Sequence, residues 1–138
     1  MKKIYKARQG AMFDDSEAQI IGETITKLKV ITPENIVNEA KAKSSPIHKF
    51  FEWDNSKAAE QYRLQQARDL TNHIIITIET NNEQIETKAF HSVSENGKRF
   101  YVTSVEAISN DDYRLQLLKQ MIKTMEGLLE QMKLFKSL

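Results

Sequence analysis

The chain is predicted to fold as an α+β protein: an N-terminal helical, helix-turn-helix-like module, a three-stranded antiparallel β-meander and a long C-terminal helix. Three observations carry this expectation. Helix-capping residues recur through residues 14–72, β-branched and alternating runs fill residues 73–110, and residues 111–138 repeat an apolar position every three or four residues. A basic arm, residues 1–13, precedes these parts. A chain of 138 residues suits one compact domain overall.

The helical module follows from its caps. In FDDSEAQIIGETITKLK, Asp14 and Glu17 have capping-box spacing, and Ala18, Ile21, Ile25 and Leu28 mark one helical face. Thr32 is the expected cap of the next helix, with Pro33 at its first position, where no N–H is needed, and with Ile36, Val37 and Ala40 as its apolar residues. Ser45 and Pro46 repeat the device ahead of Ile47, Phe50 and Phe51. Asp54 or Asn55 is then expected to cap a fourth helix through SKAAEQYRLQQARDL, with Ala58, Ala59, Tyr62 and Leu70 facing inward. Large rings at the junction of the third and fourth helices fill space between small helices that offer mainly Ile, Val and Ala. Phe50, Phe51, Trp53 and Tyr62 are therefore expected in the core, with Arg63 and Arg68 outside it or paired with a carboxylate.

After residue 72 the period changes. HIIITIE and ETKAFHSV read as strands joined by the turn TNNEQ. SENGKR is a second turn, with Asn96-Gly97 its strongest hairpin signal, and FYVTSVEAI reads as the third strand. The last helix is expected from Asp111 to Lys136. Its Leu118, Met121, Met125, Leu128, Met132 and Phe135 alternate at three and four residues, the a/d spacing of a coiled-coil seam, over a rod of about 27 Å. A homodimer or other homo-oligomer through this seam is expected. Ile122 and Leu129 widen the stripe and Gly127 interrupts it, so docking of the helix on the chain's own sheet is the alternative. Met at three seam positions specifies oligomer number poorly.

Composition narrows the function classes. Hydrophobic residues at 40% and charged residues at 28% are globular values, and the formal net charge is +1. There is no Cys, hence no thiolate metal site and no thiol nucleophile, and no apolar run approaches a membrane span. A cytoplasmic protein with no membrane partner is expected. His48, His73 and His91 lack metal-type spacing, no nucleophile-elbow or phosphate-loop motif occurs, and Asp54 beside Trp53 reads as a helix cap. No catalytic residue, metal or cofactor is therefore expected. Duplex DNA is the leading partner: Lys2, Lys3, Lys6 and Arg8 form a basic arm, and Lys57, Gln61, Arg63 and Arg68 suit phosphates and base edges. Residues 31–72 nevertheless balance acid against base, and the alternative is an interaction module that binds another protein without nucleic acid.

SSPIHKFFEWDNSKAAEQYRLQQAR, preceded by AQIIGE and ITPENIVNEAK, resembles a family of small proteins encoded by bacteriophages and prophages. In that family a Ser-Pro-aromatic-Glu-Trp-Asp segment leads into an Ala-Ala-x-x-Tyr-Arg-x-x-Gln-Ala-Arg helix. The resemblance covers residues 11–72 well and the rest of the chain more loosely. The motif marks a family and not a mechanism. It implies a viral or mobile-element protein acting inside a bacterium, with DNA or a host or phage protein as partner.

Overall fold

The computed structural model describes residues 3–53 and 57–137, with the backbone alone at Lys57 and Ala58. Among the described residues the fold is mixed α+β, with five α-helices, the last of them the long C-terminal one, and two antiparallel sheets. Asp14 accepts the Glu17 amide at 2.9 Å while the Glu17 carboxylate accepts the Asp14 amide at 3.2 Å, so both halves of the capping box form. The Glu17 amide bond, more than any other contact, holds the Asp14 carboxyl below its ordinary pKa. Helix α1 (Asp15–Thr26) buries Ala18, Ile21 and Ile25 as its spacing predicts. Thr32 Oγ1 accepts the Asn35 amide at 3.0 Å, and α2 (Pro33–Ala40) buries Ile36, Val37 and Ala40.

The third expected helix shrinks to a 3-10 turn, His48–Phe50, without a side-chain cap. Helix growth would require the Glu52 amide to reach the His48 carbonyl. That carbonyl instead accepts the Trp53 indole N–H at 2.8 Å, and the Glu52 amide donates to Gln66 Oε1 at 3.1 Å. Tertiary partners thus take both groups. The second helix of a helix-turn-helix is one turn long here.

Helix α3 (Lys57–Asn72) departs from expectation by one position. Its buried side chains among those described are Ala59, Arg63, Ala67, Leu70 and Thr71, so Arg63 points inward and Tyr62 is 55% exposed. Arg63 lies over the Trp53 ring at 5.2 Å and donates to the Glu52 carbonyl at 3.1 Å, and Trp53 also stacks on His48. A ring and a carbonyl make an inward guanidinium worthwhile. Phe51 is buried, while Phe50 and Trp53 pack against the core from its margin. The expected caps Asp54 and Asn55 and the inward Ala58 side chain lie outside the described residues.

The strand region forms two sheets. Strands β1 (Tyr5–Ala7), β2 (Ile74–Thr80) and β3 (Glu83–Lys88) pair in that order, and β4 (Phe90–Glu95) pairs with β5 (Lys98–Thr103). The expected strand 86–93 is divided at Ala89, whose amide donates to Ile74 and whose carbonyl accepts from Ser104, so one residue turns the chain from one sheet to the other. Both turns place Asn and Gly in left-handed backbone, Asn81 and Asn82 at φ 40° and 73°, Asn96 and Gly97 at 53° and 77°. These are the conformations a two-residue hairpin needs. The basic arm is anchored: Tyr5 is buried, bonds Thr26 Oγ1 at 2.9 Å and stacks on Phe90. Thr103 accepts the Glu106 amide and ends the third expected strand, so residues 104–109 become helix α4 (Ser104–Ser109). The Thr-x-x-Glu signature at 103–106 foretells this cap.

Two adjoining cores result. The larger joins α1, α2 and α3 to the three-stranded sheet around Ile21, Ile36, Ile74 and Phe90; the smaller joins Val93, Val102, Ala107, Tyr113 and Leu117. The last two belong to α5 (Asp111–Lys136), capped by Asn110. Gln116 fixes the root of α5 to β4, donating to the Ser94 carbonyl at 2.8 Å and accepting its amide at 2.9 Å.

Candidate functional site

The described residues expected to contact DNA lie on the N-terminal arm and along α3. Arg8 donates to the Asn72 carbonyl at 3.2 Å and Lys88 to the Asn72 side chain at 3.3 Å, so both cations sit at the C-terminal end of α3, where the helix dipole favours them. Half-burial, then the charge of Arg8, lowers the Lys88 pKa. Gln61 lies roughly 16 Å back along the α3 axis and is exposed. Arg63 is committed to Trp53 and Glu52. Arg68 is half-buried and lines a shallow depression with Arg99 and Glu34. Lys3 and Lys6 are exposed; Lys2 and the Lys57 side chain lie outside the described residues.

One pair has the look of reactive chemistry. His91 Nε2 and Ser104 Oγ are 2.9 Å apart, which is the spacing of a nucleophile and its base. Ser104 Oγ, however, makes a short hydrogen bond to the Lys88 carbonyl, so its proton is directed there and the imidazole donates from Nε2. A base must accept at that position. Ser104 is also buried, and burial, followed by the charge of Lys88, lowers the His91 pKa. The pair ties β4 to α4. Among the described residues, no group of three or more His, Asp or Glu is placed to hold a metal ion, and no helix is long and apolar enough to cross a membrane.

The apolar surface of α5 is the larger feature. Helix α5 leaves the body after Leu117, and every described residue from Leu118 onward is exposed. The six seam residues range from 49% exposed at Leu118 and Met121 to 75% at Phe135. Leu115, Ile122 and Leu129 add a second apolar row beside the seam, all more than half exposed. Docking of this stripe on the chain's own sheet does not occur.

At its root the seam runs into a groove of about 210 Å³. One wall is Leu117, Leu118 and Met121 of α5; the other is Ile78 and Thr80 of β2 with Ile85 and Thr87 of β3; Ala107 and Ile108 of α4 close the end. Strand alternation explains the second wall. The face of β2 that buries Ile74 and Ile76 continues outward with Ile78 and Thr80, two residues at a time, past the end of the core. Ile78 and Ile85 are cross-strand partners there. The groove is a core face continued into solvent. Its signal in the sequence is the HIIITIE alternation, which extends one pair further than the helices of the chain cover. No family model, curated protein or solved structure matches the chain.

Proposed function

We propose that this chain is a non-enzymatic interaction protein that works as a self-associated assembly held by α5. The observation that carries this reading is the exposed seam from Leu118 to Phe135 on a helix anchored only at its root. Isolated apolar residues on a surface are ordinary, but two adjoining rows along a whole helix mark an interaction surface. The seam offers a second helix the spacing it needs. The likeness of residues 44–68 to bacteriophage and prophage proteins supports a mobile-element setting inside a bacterial cell, with a host or phage protein as the further partner of the assembly.

Light scattering tests this directly. The chain should exceed its monomer mass of 16.0 kDa at micromolar concentration, and Met125→Asp with Leu128→Asp should return it to that mass. A wild-type monomer at those concentrations would sink the reading.

Duplex DNA is a second reading, favoured by the exposed Lys3 and Lys6 and by the open face of α3 at Gln61. With Arg63 turned inward, Lys3, Lys6, Arg8 and Arg68 are the described cations left for phosphates. The log–log salt slope should then be about −4 per protomer in a mobility-shift titration on random-sequence duplex. No shift at low salt would exclude it.

A further inference from the structure

Resting on that self-association, we infer that two copies pair through antiparallel α5 helices, and that Met132 and Phe135 of the second copy seat in the groove between α5 and the β2–β3 hairpin. Four features point the same way.

The seam is symmetric about the Glu126–Gly127 peptide. Antiparallel pairing there sets Leu118 against Phe135, Met121 against Met132, and Met125 against Leu128, each with its counterpart in the second copy. The flanks agree. Ile122 and Leu129 line one side of the seam and Thr124 and Gln131 the other. Antiparallel helices lay like flank on like flank, whereas parallel helices set the apolar side against Thr124 and Gln131 of the partner. The ends agree as well. The first turn of α5 carries Asp111 and Asp112 and its last turn Lys133 and Lys136, so in an antiparallel pair each acidic end lies just beyond the partner's basic end, whereas a parallel pair sets like ends side by side.

The groove is the fourth feature. Leu118 and Met121 belong both to the seam and to the groove wall, so a helix following the seam toward the body arrives there with its C-terminal end. Phe135 is the most exposed of the seam residues and falls opposite Leu118 in this register. The groove supplies the walls that an exposed ring lacks.

The chain has no Cys, so Asp112→Cys gives a single position for a spin label on the exposed first turn of α5. Pulsed dipolar spectroscopy should find the two labels about 43 Å apart along the axis in the antiparallel dimer, against roughly one helix spacing, on the order of 10 Å, for a parallel pair. In the same dimer, Ile85→Asp should weaken association at least tenfold with the thermal melt of the monomer unchanged, because Ile85 is 46% exposed on an edge strand. A short label distance, or a trimer, would overturn the antiparallel arrangement while leaving self-association standing. A long distance with Ile85→Asp without effect would overturn the seating in the groove. A monomer would remove both this arrangement and the assembly beneath it.

Discussion

Ile21, Ile25 and Ile36 in the N-terminal helices are wholly buried, whereas Ile122, Met125, Leu128 and Leu129 in α5 are each more than half exposed. Both sets have helical spacing and both would serve as a core face. The difference lies in what each helix needs from its neighbours. Helices α1 and α2, with 12 and 8 residues, are too short to persist alone and exist because their apolar faces are covered. Helix α5 has 26 residues, an Asn110 cap, acids in its first turn and bases in its last, so its backbone does not depend on covering the seam. A helix that holds its shape without its apolar face being buried has that face free for a partner.

The largest loss of stability is expected from a cut into the body. Phe90 is fully buried and stacks on Tyr5, joining the arm to the sheet corner. Phe90→Ala should cost about 3–5 kcal/mol in urea denaturation, a large fraction of the stability of a domain this size. A cost under about 1 kcal/mol would mean that the body is no better packed than the α5 surface.

Gly22 gives the next largest effect. A Cβ there would lie 2.6 and 2.7 Å from Cδ1 and Cδ2 of the buried Tyr5 ring. Gly22→Ala should therefore destabilise by about 1–3 kcal/mol, even though Ala is the better helix former. At the exposed Gly127, where nothing lies within 4 Å of a Cβ, the same change should stabilise α5 by up to about 1 kcal/mol. Opposite signs from one substitution on two helices would sharpen the contrast, and equal signs would erase it.

A smaller effect sits at the junction of the two regions. His91 is partly buried, and that burial, with Lys88 nearby, keeps its pKa below the ordinary 6.5. The folded state resists taking the proton that the unfolded state accepts. Its contribution to stability is thus complete above about pH 6.5 and is lost as pH falls from there toward the lowered folded-state pKa. Urea midpoints between neutral pH and about pH 5 should fall less for His91→Gln than for the wild type. An unchanged pH slope would show that His91 is not the titrating group.

The smallest expected change in folding is at the seam. Met125→Asp should leave monomer stability within about 0.5 kcal/mol, since nothing in the described chain covers that side chain, while abolishing association in sedimentation runs. A large loss of monomer stability would show that the seam packs within its own chain.

Local signals placed many elements accurately. The capping box at Asp14, the Thr32-Pro33 start, the Asn96-Gly97 hairpin and the full extent of α5 all rest on contacts within a few residues, and such contacts are written in adjacent positions. The errors share an opposite character. Arg63 turned inward because of Trp53 and Glu52, ten or eleven positions away in the chain, and the 3-10 turn stopped because Gln66 and the indole claimed its hydrogen-bonding groups. The arm became β1 because β2, some seventy residues later, had an open edge.

The candidate site divides in the same manner. Residue order alone specifies the seam, its spacing, its apolar flank and its charged ends, because a helix turns the order of residues into faces with no help from the rest of the fold. That this face stays open and that a groove lies at its root are consequences of the assembled fold. Both outcomes depend on where the β2–β3 hairpin and α4 come to rest beside α5, and that position is set by packing between residues far apart in the chain.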